Sequence, residues 1–156
     1  MSSQTQIRRK TVRDVAAAKD GQPLVCLTAY SAPMAELMDT VCDVILVGDS
    51  VGMVVHGLPS TVGVTLDMMI MHGQAVMRGS KQAFVVVDMP FGSYETNADQ
   101  AFLNAARVMR ETGCQAVKIE SGTYASEQIE HLVARGVPVM GHVGLCPQAV
   151  NVDGGF

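Results

Sequence analysis

A parallel α/β fold is what this sequence predicts, and three observations carry the prediction. Five short apolar runs, at residues 24–28, 44–47, 84–88, 116–120 and 137–142, are nearly continuous and often β-branched, as strands covered on both faces are. Segments whose apolar residues recur at helical spacing separate them. The chemically distinctive polar residues collect at the C-terminal ends of the runs. Alternating strands and helices imply a parallel sheet with right-handed crossovers. Two architectures satisfy this pattern. One is an open doubly wound sheet of five strands. The other is a (β/α)8 barrel, which needs about 250 residues, so that 156 residues supply its first five βα units.

In chain order, a helix over about residues 12–19 precedes the first strand. Met34, Leu37, Met38 and Val41 then recur at i, i+3, i+4, i+7 before the second strand. Leu66, Met69, Ile70 and Gly73 repeat the stripe before the third, and Phe102, Ala105, Ala106 and Met109 before the fourth. Ile129, Leu132 and Val133 begin a further stripe before the fifth. Thr65 and Thr96 sit where a side-chain oxygen caps helix amides, and Thr96 with Asp99 resembles a capping box with Asp in place of Glu. Gly79, Gly113 and Gly136 follow the stripes and suit the left-handed position that ends a helix. Pro138 blocks any continuation. Residues 151–156 read as a loop with no helix after the fifth strand. The expectation is one domain over residues 1–156, cut within an unfinished barrel.

Composition narrows the function classes. Hydrophobic residues are 48% and charged residues 17%, which excludes a disordered chain and supplies a core. A net charge of −4 argues against a nucleic-acid partner, because a phosphate backbone calls for a basic face. The one basic cluster, Arg8, Arg9, Lys10 and Arg13, reads as a solvated arm or helix start. No apolar run reaches the roughly 18 residues of a membrane span, and the polar start does not read as a secretory signal. Cys26, Cys42, Cys114 and Cys146 contain no C-x-x-C pair and read as reduced, buried small hydrophobes of a cytoplasmic protein.

In a parallel sheet all C-terminal strand ends open on one face, where function usually sits. That face receives Gly48-Asp49-Ser50, Asp88, Lys118-Ile119-Glu120 and His142. Lys118 and Glu120 are two apart and share a side of their strand, whereas Ile119 points toward the helices. Three carboxylates on one inward face are costly unless a cation relieves them. Oxygen donors without a Cys or His pair select a hard metal, Mg2+ by default, with Asp49 and Asp88 as direct ligands and Glu120 as a third or water-mediated one. Ser50 and His142 are equally readable as ligand contacts or structural residues. Asp43 lies on the opposite face and Asp67 in a helix first turn, so both are set aside. His56, His72 and His131 show no partner at metal spacing. The phosphate-loop, dinucleotide and hydrolase-elbow motifs are missing from the sequence.

The stretches 47–53, 88–92, 117–120 and 141–148, which read VGDSVGM, DMPFG, VKIE and GHVGLCPQ, resemble the ketopantoate hydroxymethyltransferase family, over about residues 11–156. The resemblance implies a (β/α)8 barrel, commonly assembled as a homo-decamer. It implies transfer of a one-carbon unit from 5,10-methylenetetrahydrofolate to 3-methyl-2-oxobutanoate, giving 2-dehydropantoate for pantothenate synthesis. Residue by residue, Asp49 and Asp88 match metal ligands that also touch the oxoacid, Ser50 a substrate contact, Lys118 the residue holding the oxoacid and Glu120 a further metal-site carboxylate. His142 matches a pocket histidine. Cys146 stands where the family more often has Thr or Ser, a change expected to matter little. The implied chemistry is chelation of the oxoacid by Mg2+, which stabilises the enolate left when the C3 proton departs. The family's catalytic glutamate would lie beyond Phe156, so no catalytic base is assigned here. With unpaired apolar edges on the first and fifth strands, an uncovered inner face and no base, residues 1–156 alone are expected to be poorly folded or self-associated and inactive. Two other readings stand beside this one: an isocitrate lyase or phosphoenolpyruvate mutase type of Mg2+/oxoacid barrel, and a truncated module that binds metal and oxoacid without turnover.

Overall fold

The structure, a computed structural model, describes residues 7–120 and 122–155. β1 (Cys26–Thr28), β2 (Val44–Val47), β3 (Phe84–Asp88), β4 (Ala116–Glu120) and β5 (Val139–His142) form one parallel sheet whose spatial order is the chain order. A doubly wound sheet reverses its strand order part-way. Sequential order therefore selects barrel-type winding. The helices are α1 (Val12–Ala17), α2 (Ala32–Met38), α3 (Val51–Val54), α4 (Leu66–Gly79), α5 (Ala98–Thr112), α6 (Ser126–Ala134) and α7 (Val150–Asp153).

The strands alternate between two apolar layers. Ile45, Val47, Val85, Val87, Val117 and Ile119 are fully buried in one core with Met69, Val76, Ala105, Val108 and Leu132 of the helices. Burying one such side chain contributes about 1.5–3 kcal/mol. Val44, Phe84, Val86 and Ala116 form a smaller cluster on the opposite face, joined by Val15 of α1 and by Met140. Both layers end where the strands end, and the polar residues take over.

The boundaries of β2, β3 and β4 match the apolar runs, whereas the edge strands are shorter than expected. Among the described residues β1 pairs only with β2, and Leu24, Val25 and Leu27 are exposed. β5 begins after Pro138, which has no amide hydrogen to give a ladder. α1 ends at Ala17 rather than residue 19. α2 ends at Met38, so Val41 lies outside it, and Leu37 is 80% exposed. Of that stripe, Met34 and Met38 reach the core. Val133 is likewise exposed.

Thr65 caps α4 as expected, accepting from the Met68 amide. Thr96 does not cap α5. Asn97 does, accepting from the Gln100 amide, and the Gln100 side chain accepts from the Thr96 amide. The box is shifted by one residue and built from amides. Gly113 and Gly136 have positive φ, as a helix stop requires, but Gly79 does not. A Cβ at Gly79 would stand 2.1 Å from the Ala32 carbonyl oxygen, so close approach of α4 to α2 explains it. The segment after β5 is not all loop, since α7 adds a turn of helix. Cys42 and Cys114 are buried, but Cys26 is exposed on the edge strand and Cys146 is half-buried.

The basic cluster is a helix start that is half docked: Arg13 on α1 and Arg8 are exposed, as expected, but Arg9 and Lys10 are held against the sheet end. Arg9 donates to Ser80 Oγ (2.9 Å) and the Ala83 carbonyl (2.8 Å), Lys10 pairs with Asp43, and Arg8 with Asp14. At the same end of the sheet, buried Asp39 accepts from Ser80 Oγ (2.6 Å) and from the amides of Lys81 (2.8 Å), Gln82 (3.0 Å) and Ala83 (3.0 Å). Burial pushes this carboxyl upward, but those donors together hold it below its ordinary range.

Candidate active site

The C-terminal strand ends gather the expected residues. Asp49 follows β2, Asp88 ends β3, Lys118 and Glu120 lie on β4, and all four are at least 92% buried. Register explains the grouping: Asp88 pairs with Lys118, and Glu120 with His142. Lys118 and Glu120 share the polar face, while Ile119 is buried in the helix-side core.

Lys118 Nζ lies 2.8 Å from Asp88 Oδ1 and 3.9 Å from Glu120 Oε1. The Asp49 amide donates to Asp88 Oδ2 at 3.0 Å. Gly48 makes room for Ser50, since a Cβ there would stand 2.8 Å from Ser50 Oγ, whereas Asp88 Oδ2 at 3.6 Å would be in ordinary contact. Ser50 Oγ is held 2.7 Å from the Tyr30 hydroxyl. His142 Nδ1 is 3.3 Å from Glu120 Oε1.

Burial drives the electrostatics. It pushes the Asp88 carboxyl up to about 6, against the opposing pull of Lys118. Asp49 is also raised by burial, partly offset by its hydrogen bond from Gln148. These carboxylates are short of compensating charge: three acids face one lysine. The donors at Asp49, Asp88 and Glu120 are all hard oxygens, the set that fits Mg2+. Asp88 Oδ1 meets the Lys118 ammonium at 2.8 Å as its one donor among the described residues, leaving it a lone pair for a cation.

Sequence reasoning missed Gln148, the clamp of the site. Its Nε2 donates to Asp49 Oδ2 (2.8 Å) and the Met89 carbonyl (3.0 Å), and its backbone amide donates to Glu120 Oε2 (2.9 Å). The Tyr94 hydroxyl donates to its Oε1 at 2.7 Å and so fixes the amide orientation. Burial pushes the Tyr94 phenol upward, keeping it a donor. The only signal was Gln148 at the end of the GHVGLCPQ stretch. His56 and His72, which showed no metal spacing, meet in space: their Nε2 atoms are 2.9 Å apart, and His72 Nδ1 lies 2.7 Å from the Tyr30 carbonyl oxygen.

Sequential βα winding with a buried carboxylate–lysine cluster at the strand ends defines a β/α-barrel fold with its polar cluster in the usual place. Solved structures agree on the fold. A 2,3-dimethylmalate lyase, a member of the PEP mutase/isocitrate lyase superfamily, matches with TM-score 0.59 at 13% identity, covering 83% of this chain and 50% of its own. A phosphonopyruvate hydrolase in complex with oxalate and Mg++ matches with TM-score 0.66 at 13% identity, covering 89% and 52%.

The chain belongs to the ketopantoate hydroxymethyltransferase family, whose model matches residues 9–156. The 3-methyl-2-oxobutanoate hydroxymethyltransferase of Hyphomonas neptunium is 76% identical over 156 residues, 100% of this chain and 57% of that protein. The protein of the same name from Maricaulis maris is 70% identical over 154 residues, 99% and 55%. The chain thus spans little more than half the length of these curated relatives.

Proposed function

We propose that this chain carries the metal and oxoacid platform of a 3-methyl-2-oxobutanoate hydroxymethyltransferase, which moves a one-carbon unit from 5,10-methylenetetrahydrofolate to the oxoacid and yields 2-dehydropantoate. The observation that carries the reading is the buried cluster of Asp49, Asp88 and Glu120 around Lys118 at adjacent strand ends. Family membership and the names of the close relatives support it.

Asp49 and Asp88 would hold Mg2+ directly, with Glu120 as third or water-bridged ligand. Bound there, the ion would supply Lewis-acid charge that stabilises negative charge developing on the oxoacid. Lys118 places an ammonium beside the oxoacid, where burial strengthens its field. Ser50, fixed by Tyr30, orients the substrate. Gln148 keeps Asp49 and Glu120 at a set separation. The group that takes the C3 proton is assigned to none of these residues; in this proposal it comes from the part of the longer relatives that this chain does not span. A homo-oligomeric assembly and a cytoplasmic location belong to the same reading. No helix among the described residues is long and apolar enough to cross a membrane. The partial span keeps a second reading in view, a module that binds metal and oxoacid without turnover.

Calorimetry tests the platform. In a chain long enough to fold, 3-methyl-2-oxobutanoate should bind in a Mg2+-dependent manner, and Asp49→Asn and Asp88→Asn should each weaken that binding. Lys118→Ala should weaken oxoacid binding more than metal binding, because an ammonium cannot ligate Mg2+. Unchanged affinities in both aspartate variants would sink the proposal.

A further inference from the structure

A second set of donors lies beside the oxygen cluster. The carboxylate of Glu120, the imidazole of His142 and the thiol of Cys146 each offer one ligand atom, and these atoms lie within 4.8 Å of one another. They come from the end of β4, the end of β5 and the loop beyond it. We propose that Glu120, His142 and Cys146 form a site for a borderline transition cation such as Zn2+ or Co2+, adjoining the Asp49–Asp88 oxygens but chemically distinct from them.

Donor chemistry makes the distinction. Oxygen donors suit Mg2+, whereas a thiolate with an imidazole selects Zn2+ or Co2+. Three protein ligands and one solvent position is the open arrangement of a zinc site. Within this chain the His142 side chain is 33% exposed and Cys146 is half-buried, so both donors can be reached by an added cation. Zn–N of about 2.0–2.1 Å and Zn–S of about 2.3 Å put tetrahedral donors roughly 3.5 Å apart. His142 Nδ1 and Glu120 Oε1 are already at 3.3 Å, so Cys146, whose sulfur lies within 4.8 Å of the other donors, is the one to draw in, by at most about an ångström. The loop leading to it can follow: Val143 is 75% and Leu145 60% exposed, and Gly144 adopts φ +99° with open space around it.

Glu120 is preset for the role. The Gln148 amide anchors Oε2 at 2.9 Å, which leaves Oε1 facing His142 and Lys118. Such an outer hydrogen bond orients a ligating carboxylate. The binding step is an exchange without redox change: the Cys146 S–H bond breaks, its proton passes to solvent, and the sulfur electron pair forms the bond to the cation. A cation here shares Glu120 with the oxygen cluster and adds charge beside Lys118. Zn2+ should therefore oppose Mg2+-dependent oxoacid binding, a consequence that rests on the proposed function, whereas the site itself does not.

The probe is Co2+ titrated into the chain with Mg2+ in excess. The expected result is one Co2+ per chain with a sulfur-to-cobalt charge-transfer absorption in the near ultraviolet. Cys146→Ser should abolish that absorption, and Cys26→Ser, which removes the exposed thiol of β1, should leave it intact. His142→Gln should retain the absorption but require at least about tenfold more Co2+. Calorimetry with Zn2+ in buffers of different ionisation enthalpy should show about one proton released per Zn2+ in the parent chain and none in Cys146→Ser. Absence of the sulfur band, its persistence in Cys146→Ser, or its loss in Cys26→Ser overturns the site. Failure of the cobalt-free and zinc-free parent chain to bind the oxoacid with Mg2+, alongside an intact cobalt band once Co2+ is added, would count against the proposed function alone.

Discussion

Asp39 and Asp88 are both buried aspartates, one at each end of the same sheet, and they are solvated in opposite ways. Asp39, beneath the N-terminal strand ends, accepts from one hydroxyl and three amides, and its carboxyl is held low. Asp88, at the C-terminal ends, has one amide and one ammonium, and burial pushes it up to about 6. The first carboxylate is finished by the protein and serves stability. The second is left short of donors at a cost to the fold, which is the state the proposed cation site requires. A buried acid is therefore read by counting what solvates it, not by its burial.

The largest expected effect tests that contrast directly. Asp39→Ala strands several buried donors and should destabilise the chain by about 3–5 kcal/mol in urea unfolding. Asp88→Asn should be neutral or stabilising while weakening Mg2+ binding. Equal destabilisation by the two would erase the distinction.

The pH dependence should carry opposite signs. Asp39 has a folded-state pKa below its unfolded value, so its contribution is present above about pH 4 and is lost as pH falls through the folded value. Asp88 is raised to about 6, so the folded form binds more protons between about pH 4 and 6. Stability from this group is greatest below about pH 4, falls by on the order of 2 kcal/mol as pH rises to 6, and is flat beyond. Unfolding free energies measured across that range should lose the second slope, and only that one, in Asp88→Asn.

A smaller effect sharpens the picture at the functional end. Gln148→Leu removes the bonds to Asp49 and Met89 and leaves the Tyr94 hydroxyl only the Glu120 carbonyl oxygen, 3.2 Å away, as acceptor. It should cost about 1–3 kcal/mol of stability. It should also weaken Mg2+ binding, and Gln148→Glu, which restores the Tyr94 acceptor but sets a charge against Asp49, should weaken it further. Unaltered Mg2+ affinity in both would show that Gln148 braces the fold without positioning the carboxylates.

The smallest lies in the caps. Asn97→Ala should destabilise by about 1 kcal/mol, because α5 packs into the core. Thr11→Ala should be almost silent in global unfolding, since α1 has no fully buried residue. Thr96→Ala should also be near neutral, its amide rather than its hydroxyl being the group engaged.

The central strands and most of the candidate site were legible because they depend on local pattern. Continuous apolar runs set β2, β3 and β4 to the residue, and strand alternation put Lys118 and Glu120 on one face. The edges were harder to read, because β1 and β5 each have one neighbour and apolar character there does not guarantee a ladder bond. The cap of α5 shifted by one residue for a similar reason: Asn97 and Thr96 are both competent, and the hydrogen bonds of Gln100 decide between them.

By itself the sequence determined the alternation of strands and helices, the face on which the acids emerge and the family to which they point, since each rests on spacing along the chain. Only the tertiary structure decided what those acids meet. Gln148 reaches Asp49 across 99 positions and Lys118 reaches Asp88 across the β3–β4 register. Asp39 finds its donors more than 40 positions away. Whether a carboxyl is held low or pushed up depends on donors and solvent brought together by packing, and no spacing along the chain encodes that sum.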